Sequence, residues 1–103
     1  MEFTGFEWDE GNSRKNEKHG VTKAEVEQAF LNMPLIVATD AKHSQQEPRY
    51  HALGRTDSNR CLLITFTERA AGTLIRPISA RAASRKERKI YEEAVKANPE
   101  IRE

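Results

Sequence analysis

Cations and acid–base groups stand at a few corners of this chain. Lys18 and His19 precede Gly20-Val21, Arg55 follows Leu53-Gly54, and Glu68-Arg69 closes the run that starts at Cys61. Arg76 and Arg81 lie in and just after the next apolar run, and Arg85 opens a basic segment. Such a set suits metal-free cleavage of RNA. A base takes the 2′-hydroxyl proton so that its oxygen attacks the adjacent phosphorus. Fixed cations hold the charge on the phosphorane, and an acid protonates the departing 5′-oxygen. Glu68 or His19 suits the base and Lys18 or His19 the acid, while Arg55, Arg76, Arg81 and Arg85 suit bidentate phosphate contacts. Each also has a plainer role. Glu68 can pair with Arg55 or Arg76 across strands, His19 can cap a helix end, and the Arg85–Lys89 cations can form a solvated helix face. Strand alternation sends Glu68 and Arg69 to opposite faces unless a bulge intervenes.

Other chemistries find no footing. His19, His43 and His51 lack metal-ligand spacing, and Cys61 is the single cysteine, so neither a metal site nor an internal disulfide is expected. There is no glycine-rich phosphate loop and no nucleophile elbow, and no cofactor is expected. No apolar run reaches membrane-spanning length, and the acidic start, with Glu2, Glu7, Asp9 and Glu10, is unlike a signal peptide. A cytoplasmic protein is the expectation. The 103 residues suit one domain, 1–103. A net charge of +1 conceals segregation: an acidic first segment, a basic one around Arg14 to Lys23, a strongly basic Arg81 to Lys89 and an acidic tail.

The elements that must position these residues follow from pattern. Phe3 to Trp8 reads as a short strand, with Trp8 as a core anchor. Asp9 can cap a short polar helix from Glu10 to Lys18, ended by Gly20. Thr22 and Glu25 form a capping box, Val21 and Val26 a hydrophobic staple, and Val26, Ala29, Phe30 and Met33 an apolar stripe that Pro34 ends. Leu35 to Thr39 is a strand-length apolar run. Arg49 to Thr56 alternates, with Tyr50, Ala52 and Gly54 on one side and His51, Leu53 and Arg55 on the other. Cys61 to Arg69 and Thr73 to Ser79 complete an antiparallel meander. Ser84-x-x-Glu87 caps a last helix from Arg85 to Lys96. The order β-α-α-β-β-β-β-α predicts an α+β domain, helices packed on a largely antiparallel sheet of four to five strands.

Several blocks carry a resemblance across nearly the whole chain: Phe6-Glu7-Trp8-Asp9-Glu10, Lys18-His19-Gly20-Val21, Arg55 after Leu53-Gly54, Thr67-Glu68-Arg69, Ile78-Ser79-Ala80-Arg81, Arg85-Lys86-Glu87-Arg88 and Tyr91-Glu92-Glu93. In this order and spacing they resemble the BrnT family, the toxin half of BrnT/BrnA type II toxin–antitoxin pairs. The resemblance implies a RelE-like fold and a ribonuclease activity that arrests translation. It also implies neutralisation by a BrnA-type ribbon-helix-helix antitoxin in a heterotetramer with two copies of each chain, with operator DNA reached only through the antitoxin. The family's motif positions fall on Trp8, Lys18, His19, Gly20, Arg55, Glu68, Arg69, Ile78, Ser79, Arg81 and Arg85. Two positions depart from the pattern. Pro77 stands where the family usually has an aliphatic strand residue, and a residue without an N–H belongs at an edge or a bulge. Ala82-Ala83 follow Arg81 where a polar or charged residue is common. The alternatives are a catalytically weak or inactive antitoxin-binding module that co-represses its own operon, and a non-catalytic RNA-binding domain.

Overall fold

The computed structural model describes residues 3–9, 11, 19–43 and 47–97. Apart from Gly11, the polar helix expected from Glu10 to Lys18 therefore lies outside the described residues, as does Lys18 itself. Helix α1 (Lys23–Leu31) starts as its capping box dictates. The Glu25 N–H donates to the Thr22 hydroxyl at 3.1 Å, and the Thr22 N–H donates to the Glu25 carboxylate at 3.0 Å. That backbone donor is the largest cause holding the Glu25 carboxyl below its ordinary value. Val26, Ala29 and Phe30 form the buried face.

The strands are β1 (Gly5–Phe6), β2 (Ile36–Thr39), β3 (Tyr50–Arg55), β4 (Cys61–Arg69) and β5 (Leu74–Ala82); a 3-10 turn, Ala41–His43, follows β2, and helix α2 (Arg85–Ala97) ends the described chain. They make one sheet in the order β1-β5-β4-β3-β2. The meander is antiparallel as expected, but β1 pairs with β5 in parallel, Gly5 against Leu74 and Phe6 against Ile75, so the sheet is mixed. Alternation in a sequence assigns faces; it does not say which strand a short edge segment joins, or in which direction.

Strand β5 runs to Ala82, past the Ser79 end expected from pattern. A bulge explains it. Thr65 pairs with Ser79 but the next residue, Phe66, pairs with Pro77, so Ile78 is the extra residue. The proline's missing donor is absorbed there. The bulge also resets the alternation. Ile75 and Pro77 are buried before it and Ala80 after it, whereas an unbroken strand would have turned Arg81 into that core. No helix among the described residues is long and apolar enough to cross a membrane.

The two helices cover opposite faces. On one, Val26, Ala29 and Phe30 of α1 pack with Ala52, Leu62, Ile64, Phe66, Ile75 and Ala80, and Phe3, Phe6 and Trp8 close the side. Trp8 is an anchor, its Nε1 donating to the Glu27 carboxylate at 2.9 Å. On the other face Leu53, Cys61, Leu63 and Ala83 meet Tyr91 and Val95 of α2. The buried Tyr91 hydroxyl donates to the Pro34 carbonyl at 2.7 Å, tying α2 to the start of β2. Burial raises both the Tyr91 phenol and the Cys61 thiol above their ordinary pKa values.

Candidate functional site

The register places most of the candidate residues. Leu53 and Leu63 lie under α2, and alternation puts His51, Arg55 and Thr65 on that same face. Across β5 the partners are Arg81 beside Leu63, Ser79 beside Thr65 and Arg76 beside Thr67. Helix α2 covers one end of this face. Beyond it runs a polar strip of Arg76, Thr67, Ser79, Thr65 and His51, bordered by Arg81.

Not every candidate joins that strip. Glu68 pairs with Ile75 on the α1 face, across the sheet from Arg55, Arg76 and Arg81. His19 is exposed at the corner before α1, and its neighbour Gly20 accepts from Arg60 Nη1 at 3.0 Å. Arg60 precedes β4, whereas Glu68 lies near that strand's far end. His19 and Glu68 therefore neighbour opposite ends of β4 and do not gather at one point. Arg55 and Arg88 line a cleft of about 370 Å³ beside α2, with Asn59, Cys61 and Tyr91. Arg85 is exposed in the first turn of α2.

The guanidiniums of Arg76 and Arg81, and that of Arg69 at the end of β4, are each held by carboxylates. Arg81 grips Glu87 with two parallel bonds, 2.8 and 3.0 Å. Glu87 is also the acid of the second capping box, accepting from the Ser84 N–H at 2.8 Å. Arg76 donates to Glu7 at 3.0 Å and to Asp9. Arg69 donates to Glu47 at 2.8 Å. The Asp9 bond is the main reason that Arg76 holds its proton more tightly than usual. A carboxylate held in this way marks the fork geometry that a phosphate oxygen pair also fits.

One pairing was not singled out from sequence. His51 Nε2 lies 3.2 Å from Oδ2 of buried Asp40, and its Nδ1 lies 3.0 Å from the Thr65 hydroxyl. A signal existed: alternation had already set His51 beside Arg55. The missing partner was Asp40, which looks like the first residue of a polar loop. Its N–H donates to the Arg49 carbonyl at 2.8 Å, and this bond turns the chain back over the start of β3. Among the described residues no three His, Cys, Asp or Glu side chains gather as metal ligands.

A comparison with protein-family models matches residues 8–87 to the family described as ribonuclease toxin, BrnT, of type II toxin-antitoxin system. No curated protein matches the chain.

Proposed function

The chain belongs to the BrnT family of ribonuclease toxins of type II toxin–antitoxin systems, and from that premise we propose that it is a metal-independent endoribonuclease that arrests translation in the cytoplasm. One domain spanning 1–103, of RelE-like fold, does this work. The observation that carries the reading is the polar strip, on which Arg76 and Arg81 bracket Ser79 and Thr65 along adjacent strands. Two guanidiniums on a strip of hydroxyls suit an RNA backbone, and the developing phosphorane charge falls between them. Arg55, with Arg88 across the cleft beside α2, extends the cationic track. His19 and Arg85, both exposed, contact RNA outside the strip, Lys18 is a further RNA contact, and Glu68 takes no part in the chemistry.

The partner is a BrnA-type ribbon-helix-helix antitoxin, in a heterotetramer with two copies of each chain that meets operator DNA through the antitoxin. An apolar surface is available for it: Leu31, Met33 and Val37 are exposed, beside β2 at the end of the strand order. Exposed apolar groups next to a sheet edge suit strand addition by a partner.

Purified toxin should cleave a defined RNA in EDTA, and its expression without antitoxin should stop growth. Arg81→Ala should slow cleavage by at least about 100-fold, the loss typical of one transition-state charge contact, with circular dichroism unchanged. Antitoxin binding with no cleavage by the wild type under any condition would instead make the chain a co-repressing module, its arginines committed to their own carboxylates.

A further inference from the structure

We propose that His51, oriented by Asp40, is the general base of this site; the assignment rests on the ribonuclease reading above. The Asp40 carboxylate can only accept, so the proton of neutral His51 lies on Nε2 and the lone pair on Nδ1. That lone pair now receives the Thr65 hydroxyl. It is therefore aimed across β3 toward β4, into the row where Thr65 pairs with Ser79, between Arg76 and Arg81. The imidazole is neither buried nor loose: its side chain is 37% exposed, while Asp40 behind it is 8% exposed. This is the arrangement of a base held by a buried acid with one nitrogen facing the substrate side.

A 2′-hydroxyl takes the place of the Thr65 hydroxyl at Nδ1 and gives up its proton there, and its oxygen forms the new bond to phosphorus. The bond from phosphorus to the 5′-oxygen breaks, and that oxygen takes a proton from water. The products are a 2′,3′-cyclic phosphate and a 5′-hydroxyl, and the imidazolium, stabilised by Asp40, returns its proton to the hydroxide left in solvent. Arg76 and Arg81 hold the charge in between. Among the described residues, the charged groups on the elements packed around His51 are Asp40 and Lys42 after β2, Glu47, Arg49 and Arg55 on its own strand and its approach, Arg69 on β4, Arg76 and Arg81 on β5, and those of α2 over the covered end, Glu87 and Arg88 foremost, while Glu68 of β4 faces the other side of the sheet. Among them Asp40 is the carboxylate in contact with the ring.

The test is a pH–rate profile for cleavage of a short RNA by wild-type toxin, His51→Ala, His51→Gln and Asp40→Asn. A 2′-O-methyl RNA that cannot be cut reports affinity. Wild type should show an acid limb of unit slope. His51→Ala and His51→Gln should lose at least about 100-fold in rate and lose the limb, while affinity for the uncleavable RNA stays within about twofold. Added imidazole should restore part of the His51→Ala rate, which a structural staple would not allow. Asp40→Asn should keep a limb but lower the rate, as befits a positioning residue. His51→Gln matches the ring in size and hydrogen bonding, so it decides the matter if His51→Ala does not fold. A wild-type enzyme that cuts RNA while both His51 variants cut within threefold of it, with the limb intact, overturns the assignment and leaves the ribonuclease reading standing. A wild type that never cuts overturns both.

Discussion

The Glu87 carboxylate receives the Ser84 backbone N–H and two Arg81 nitrogens, and these bonds, the Arg81 bond first, hold it to about 2 against an ordinary value of 4.5. A carboxyl depressed in the folded state stabilises it fully above the unfolded value, and loses that contribution as pH falls through the folded one. Glu87→Gln should therefore cost about 1 kcal/mol at pH 7, the scale of a lost cap; the guanidinium half of the pair is exposed and screened, which keeps the figure small. The deficit relative to wild type should close between about pH 4.5 and pH 2. Urea titrations at several pH values read it directly, and a deficit as large near pH 2 as at pH 7 would show that charge is not its source. Ser84-x-x-Glu87 was legible in the sequence because a capping box is a local spacing. Its second ligand was not, because Arg81 reaches Glu87 only once β5 runs on and delivers it to the head of α2. The same limit hid Asp40 from His51: a contact between residues of separate elements has no spacing to read.

Elements were legible to the extent that one period governed them. The α1 capping box, the two faces of β3 and the full span of β4 came directly from the pattern. Strand β5 did not, because a bulge at Ile78 shifts its alternation midway, and small residues such as Ala80 and Ala82 resemble a helix approach as much as a strand. Pro77 was the visible clue. Gly54 shows what alternation alone leaves unsaid. It shares the Ala52 side of β3, and there the backbone of α1 lies directly on it. A Cβ at Gly54 would meet the Ala29 carbonyl oxygen at 2.5 Å and its carbon at 3.1 Å. Helix backbone cannot swing aside as a side-chain tip can, so Gly54→Ala must lift α1 from the sheet or bend β3. The expected loss is about 1–3 kcal/mol, the range for overpacked cores, read as a lower denaturation midpoint with helix content kept. A midpoint within about 0.5 kcal/mol of wild type would mean that the α1 contact is looser than its geometry.

Across the whole molecule, the charge segregation visible in the sequence resolves into pairs that close the fold. The acidic start does not stay apart from the cations further along the chain: Glu7 and Asp9 meet Arg76 of β5, beside the parallel pairing of β1 with β5. Glu7 also lies 3.8 Å from Arg69, which in turn holds Glu47. The acids that fix β1 to the sheet thus occupy one of the two guanidiniums proposed to hold RNA, and a phosphate must displace them. Removing them should then strengthen RNA binding while doing little to stability. In Glu7→Gln/Asp9→Asn, the affinity for an uncleavable 2′-O-methyl RNA should rise several-fold at low salt. The slope of log affinity against log salt should steepen by about 0.7, the increment for one further phosphate contact on a single strand. Both acids are more than two-fifths exposed, so the stability cost should stay below about 1 kcal/mol. Fluorescence anisotropy over a salt series measures the binding and urea unfolding the cost. An unchanged slope would place the RNA away from Arg76, and would leave Arg81 and the cleft at Arg55 and Arg88 as the cations that hold it.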